Sequence, residues 1–422
     1  MKKKIAFIIQ RYGKEVNGGS EVLARMMAEK LIKEYDVTVL TSRAVDYNTW
    51  QPVLPKGISF ENGVRIMRFD HPVKDSEKKI HHDNRRQRGR FLYQKLYRAL
   101  NKPSWYIKLF PNAEMKPVPD TKWLEVQGPA TYDLIEYVKK NKDDYDVFIC
   151  FTYVYFPTVI SLQEVANKSI FIPTMHDEEP AHRPVFKRIM RLPAFILFLT
   201  EAERRFSLKT FNIDHIPNRV VSVGIDIPEE IEDHKQIEKF EINKKYIIYA
   251  GRIEKHKGCD LLIKYFVNYV NTNPNIVLVL VGRNSMQEVK HPLIKYAGFV
   301  SDEEKERLIK HAEALVIPSK HESLSLVVLE SFACKIPVIA NGESEVLKDH
   351  IDSSNGGWTY ESEQEFVHVL NEVMEGKENE QKGLNGYEYV TKNYSWQKAI
   401  DIFDDAINFV NDSNKEKLKG KL

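Results

Sequence analysis

The sequence predicts two α/β domains in tandem, each a parallel sheet wound with helices on both faces. Three observations lead there. The chain has 422 residues, more than one hydrophobic core usually covers. Short runs rich in Val and Ile alternate with segments of helical period. That alternation breaks at a charged stretch and then starts again. The apolar and charged fractions, 42% and 29%, are those of ordinary globular proteins and exclude disordered or fibrous classes.

In the first half, residues 5–10 read as a strand and 20–35 as a helix with Val22, Leu23, Met26, Met27 and Leu31 on one face. Residues 37–42, 64–69, 147–153, 170–174 and 195–200 read as further strands. The second half restarts with a strand at 246–251, a helix at 259–270 and strands at 276–282, 315–318 and 337–340. The expected partition is a first domain over 1–226, a linker over 227–244, a second domain over 245–394, and a terminal helix in 395–422 that crosses back to the first domain. The linker is inferred from charge and a shortage of apolar residues.

Charge is divided unevenly. Residues 1–225 carry 37 Lys and Arg against 26 Asp and Glu, a balance of +11, and the remainder carries 25 against 34, or −9. Much of the excess lies in 78–110, where ten cations face a single acid, Asp83, among aromatic residues such as Tyr93, Tyr97, Trp105 and Tyr106. This composition suits an anionic membrane surface or a phosphorylated acceptor. No nucleic-acid recognition motif accompanies it, so nucleic acid is not an expected partner.

Cys150, Cys259 and Cys334 match no metal spacing, and their odd number fits a reducing compartment. No stretch reaches the roughly 18 apolar residues of a membrane span, and the N-terminus lacks a small-residue cleavage site. The expected location is the cytoplasm, with peripheral attachment to the inner face of the membrane through 78–110.

Chemistry concentrates at two places. Residues 251–258, GRIEKHKG, follow a strand directly, placing Arg252 and Lys257 at the C-terminal edge of a parallel sheet, where such folds bind ligands. Two cations there suit a pyrophosphate. Residues 322–330, ESLSLVVLE, put Glu322 in a loop and Glu330 in the following helix, with Leu326, Val327, Leu329 and Phe332 toward its buried side. A helical rise over that span is about 12 Å, the scale of an extended nucleoside diphosphate sugar. Between the acids a helix start offers N–H groups to a phosphate.

This combination, a strand ending in Gly-Arg, then Lys-Gly, then two glutamates separated by seven residues, resembles glycosyltransferase family 4 of the GT-B fold. NGGSE at 17–21, FIPTMHDEE around His176 and VSVGIDI at 221–227 extend the resemblance over nearly the whole chain. It implies two Rossmann-like domains facing a cleft and a retaining transfer from a nucleotide-sugar donor to a glycan or lipid-linked acceptor, with no cofactor and no metal. Arg252 and Lys257 would take the diphosphate, Glu322 and His176 the sugar, and Glu330 the ribose. Gly18 and Gly19 would bring backbone N–H groups close to a substrate, and Arg283 with Phe299 and Val300 would accommodate the base.

Asp177, beside His176, would orient it or cap a turn. The sequence departs from the family in the run Ser323-Leu324-Ser325-Leu326, where many members carry glycines; backbone donors at Ser325 and Leu326 remain for the donor. Asp144 and Asp146 form a D-x-D, read as a turn before a strand and not as a metal site. Rival readings are a nucleotide-sugar epimerase or phosphorylase on the same scaffold, and a catalytically silent membrane-bound scaffold.

Overall fold

The computed structural model describes residues 2–73, 120–228, 240 and 242–419. The basic stretch 78–110 and most of the expected linker lie outside the described residues. The chain divides into two compact units. One comprises Met1–Leu197, so far as it is described, with Leu208–Asn218 and the chain from Asp405; the other comprises Phe198–Ser207 and Arg219–Asp404.

The first sheet, most of which lies in the first unit, is built from β1 (Lys4–Ile8), β2 (Asp36–Ser42), β3 (Gly57–Glu61), β4 (Val64–Phe69), β5 (Val147–Phe151), β6 (Ser169–Ile172), β7 (Phe195–Phe198) and β8 (Asn218–Val220). Their order is β3-β4-β2-β1-β5-β6-β7-β8. β1 pairs in parallel with β2 and β5, so the winding direction reverses between β1 and β5. β5 is buried along its whole length, as expected of a strand covered by helices on both faces. β3 is antiparallel to β4. The sequence reading passed over β3 because its apolar residues point outward: Ile58 is 55% and Phe60 69% exposed.

The first helix, α1 (Gly19–Leu31), ends four residues short of expectation. It buries Leu23, Ala24, Met27, Ala28 and Leu31. Val22 and Met26, expected on that face, are only half-buried, and the small alanines take their place because they allow close approach to the sheet. The helices that follow are α2 (Thr121–Gln127), α3 (Tyr132–Asn141), α4 (Phe156–Val165), α5 (Pro184–Ile189) and α6 (Glu201–Phe211).

The second unit carries β9 (Lys245–Ala250), β10 (Ile276–Val281), β11 (Ile294–Gly298), β12 (Ala314–Ile317), β13 (Val338–Asn341) and β14 (Gly357–Tyr360), in the order β11-β10-β9-β12-β13-β14. Every pairing is parallel. Its helices are α7 (Cys259–Val270), α8 (Asp302–Lys310), α9 (Leu326–Ala333), α10 (Glu345–Ser354), α11 (Glu363–Glu375) and α12 (Asn379–Asn393), and α13 (Trp396–Lys419) begins in this unit. α7 buries Leu262, Ile263, Phe266 and Val270 against Ile247, Leu278 and Leu280 of the sheet. At roughly 1.5–3 kcal/mol per fully buried large apolar side chain, that contact is a main support of the unit. None of the described helices is long and apolar enough to cross a membrane.

Candidate functional site

In the second sheet the winding reverses at β9, whose neighbours are β10 on one side and β12 on the other. The loops leaving β9 and β12 therefore part there and open a crevice at the strands' C-terminal ends. Gly251, Arg252 and Lys257 lie on the first loop, and Glu322 lies on the second.

Glycines allow the loops to close on one another. A Cβ on Gly282, where φ is +129°, would stand 1.9 Å from the Gly251 carbonyl oxygen. A Cβ on Gly258, at φ +75°, would stand 2.5 Å from that of Pro318. The first contact sets the β9 loop against the end of β10 and the second sets it against the end of β12. The Gly251 N–H donates to Val281 O at 2.9 Å and the Ile253 N–H to Arg283 O at 3.0 Å, which ties the loop to the end of β10 as well.

The result brings together residues 65 positions apart. Lys257 Nζ donates to Glu322 Oε1 at 2.8 Å, and both side chains are mostly buried. Arg252 lies 3.2 Å from Glu254 and is 38% exposed. Its carbonyl accepts from Tyr249 Oη at 2.7 Å, which fixes the backbone from which the guanidinium projects.

Glu322 precedes α9 by four residues, so only half of 322–330 is helical and the 12 Å rise does not describe it. Ser325 turns the chain into α9 in the left-handed region, at φ 61° and ψ 71°. The helix buries Val328, Leu329 and Phe332, whereas Leu326 and Val327, expected inside, are half-buried at its open first turn. The loop is held from behind: Thr200 Oγ1 donates to Ser323 O at 3.2 Å, and the ring of the buried His350 reaches Leu324 O at 2.8 Å.

Glu330, one helical turn and a half onward, sits 2.9 Å from Lys305 Nζ through each carboxylate oxygen. Lys305 belongs to the first turn of α8, which Ser301 and Glu304 start with a reciprocal capping box. Burial works against its charge, but the Glu330 and Asp302 carboxylates outweigh burial and hold the ammonium above its ordinary value. Phe299, 70% exposed, and the half-exposed Val300 lie between β11 and this box, and Arg283 is exposed at the end of β10.

In the first unit, Gly18 precedes α1 because nothing larger fits: a Cβ there would stand 2.2 Å from Glu21 Oε2. That carboxylate is fully buried and accepts from Gln10 Nε2 at 2.8 Å, Arg11 Nε at 2.9 Å, Arg11 Nη2 at 2.5 Å and Ser20 Oγ at 2.9 Å. Burial pushes its pKa up, but Arg11, Gln10 and Ser20 outweigh it and hold the carboxyl below its ordinary value. Among the described residues, no heavy atom beyond its chain neighbours and its own helix backbone stands within 4 Å of the place a Gly19 Cβ would take, so packing there does not demand that glycine.

His176 follows β6, with Nε2 3.5 Å from Glu178 Oε2. Asp177 lies at a bend in the chain, with Oδ1 2.6 Å from His182 Nε2. Asp146 of the D-x-D accepts from the Lys4 N–H at 2.8 Å and so serves the start of the sheet.

Sequence reading missed Lys305, Arg11 and His350. Lys305 was one of several charges in an acidic helix, and Arg11 carries no motif. A buried histidine has no one-dimensional signature.

Similarity to known proteins falls on the same region. The family model "Glycosyl transferases group 1" matches residues 230–388. An uncharacterized glycosyltransferase of Methanocaldococcus jannaschii is 30% identical over 131 residues, 28% of this chain and 32% of that protein, so the chain spans about a third of that relative's length. The sucrose-phosphate synthase of Thermosynechococcus elongatus superposes with a TM-score of 0.66 at 15% identity, covering all of both chains. Anabaena HepE, solved with UDP and glucose, superposes at 0.60 and 15% identity over 99% of this chain and all of that one. The fold is therefore that of the GT-B glycosyltransferases, with related sequence in the second unit.

Proposed function

We propose that the chain is a retaining glycosyltransferase that moves a sugar from a nucleoside diphosphate sugar to a hydroxyl of a glycan or lipid-linked acceptor. The observation that carries the reading is the open start of α9 between two cation-held glutamates, with Lys257 on Glu322 and Lys305 on Glu330. Glycosyltransferase sequence similarity over 230–388 and the solution of HepE with UDP and glucose support it.

A diphosphate at the crevice takes its charge from Arg252, Lys257 and the N–H groups of Ser325 and Leu326. Glu330, paired with Lys305, accepts from ribose hydroxyls, Glu322 accepts from the transferred sugar, and His176 reaches that sugar by a hydrogen bond. Arg283 and Val300 flank the base, and Gly18 and Gly19 leave room for close backbone approach.

As the bond from the anomeric carbon to the diphosphate breaks, negative charge grows on the leaving oxygen, where preorganised donors lower the barrier most. The acceptor oxygen bonds to the same face of that carbon and its proton passes to the leaving phosphate. The reading needs neither a metal nor a cofactor. The acceptor partner, attachment to an anionic membrane surface through 78–110, and the domain limits set out from sequence belong to the same proposal.

A thermal-shift panel of UDP-, GDP-, ADP- and dTDP-sugars, repeated with Glu330→Ala and Lys257→Ala, tests the site. Stabilisation of the parent by one donor, reduced in both variants, is expected. A product with inverted anomeric configuration, or transfer abolished by a chelator, overturns the mechanism.

A further inference from the structure

We infer that His350 is a positioning residue for the donor loop, acting through a one-way hydrogen-bond chain that runs Tyr394 to Tyr389 to His350 to the Leu324 carbonyl. This rests on the reading of 322–330 as the donor site. The direction follows from what each atom can do. A carbonyl only accepts, so His350 Nε2, 2.8 Å from Leu324 O, carries the proton. The ring is fully buried and burial disfavours its charged form, so Nδ1 is bare.

Nδ1 must then accept from Tyr389 Oη, 3.2 Å away. With that hydrogen committed, the 3.1 Å contact between the two tyrosine hydroxyls is donated by Tyr394. The rings of Tyr389 and Tyr394 also box the imidazole, their centroids 6.0 Å and 6.1 Å from its own. Asp349, the neighbouring charge on α10, is turned outward to Arg205 at 2.7 Å.

The consequence falls on the opposite edge of the same peptide. In a planar trans peptide the N–H points opposite to the C=O. Holding the Leu324 carbonyl toward α10 therefore aims the Ser325 N–H away from it. Ser325 is left-handed and Leu326 helical, a sequence of conformations that turns successive N–H groups into one concavity suited to an anion. His350 thus fixes the orientation of a donor it does not touch, at the run where the sequence departs from the glycines of the family it resembles.

The test uses the full chain and three variants. His350→Gln keeps an N–H of similar reach, His350→Leu removes it, and Tyr389→Phe removes only the hydroxyl that fixes the tautomer. Amide hydrogen exchange at Ser325 to Val327 is measured without ligand, and binding of UDP, GDP, ADP and dTDP by calorimetry.

His350→Leu should bind the parent's preferred nucleotide about tenfold more weakly, the scale of one buried hydrogen bond, and exchange faster. His350→Gln should return within about threefold of the parent, with Tyr389→Phe between. Parent-like binding and exchange in His350→Leu, or equal losses in the Gln and Leu variants, overturns the proposal. If the parent binds none of the four nucleotides, the donor reading falls. Exchange then decides the positioning role, and equal rates in parent, Gln and Leu variants overturn it. Should the Leu variant fail to fold, unchanged exchange in Tyr389→Phe does so.

Discussion

Two ion pairs stand beside loops of this molecule, one in each unit, and they are built differently. Arg11 and Glu21, under the glycine loop of the first unit, are about 5% exposed and bound to further partners, including Gln10, Ser20 and the Val45 carbonyl. Lys257 and Glu322, in the second unit, meet through one 2.8 Å contact, and the lysine is 25% exposed. In the first pair the donors and acceptors are used internally, so the charges shape the loop. In the second, the lysine is partly exposed, and under the proposed function it would take a further anion. Burial separates the two pairs, and only the second keeps a charge within reach of solvent.

The largest expected effect tests the scaffold side. Glu21→Ala leaves a buried guanidinium without its carboxylate and should lower the folding free energy by about 3–5 kcal/mol in chemical denaturation. Lys257→Ala, in the less buried pair, should lower it by less than that. A result in the reverse order would break the distinction.

Next in size is Gly258→Ala. It forces a side chain into left-handed backbone against the Pro318 carbonyl and should destabilise by about 1–3 kcal/mol. Because it also displaces the turn that presents Lys257, nucleotide-sugar binding should fall more steeply than stability.

Lys257→Ala and Arg252→Ala should each weaken donor binding by about 1.5–3 kcal/mol, one charge-assisted contact, with the far-ultraviolet spectrum unchanged. Equal binding in parent and variants would make these pairs structural like the first.

The smallest effect is in pH. Burial holds the His350 imidazole below its ordinary 6.5. Between 6.5 and the lower folded value the unfolded chain therefore binds more protons, and stability falls as pH falls. The melting temperature of the parent should drop more between pH 7 and 5.5 than that of His350→Gln. Glu21, held below 4.5, contributes stability above that value that is lost on further acidification through its folded value, and a Glu21 variant should lack this second loss.

How legible these features were in one dimension depended on burial. β5 and β10 announce themselves because strands covered on both faces are continuously apolar. β3 does not, since its outward Ile58 and Phe60 resemble a loop's stray hydrophobes. At the candidate site, Arg252, Lys257, Glu322 and Glu330 were singled out because strand ends and helix starts have local signatures. Lys305 and His350 were not, because each matters through a partner more than 20 residues away.

The sequence by itself determined the two α/β units and the loops on which the chemistry-bearing residues stand, since hydrophobic period and glycine placement are local properties. Only the tertiary structure decided that Lys257 meets Glu322, that Lys305 meets Glu330, and that a buried histidine aims the peptide between the glutamates. The order of strands in a sheet and the packing of one helix on another set those distances, and neither is written in any single stretch of chain.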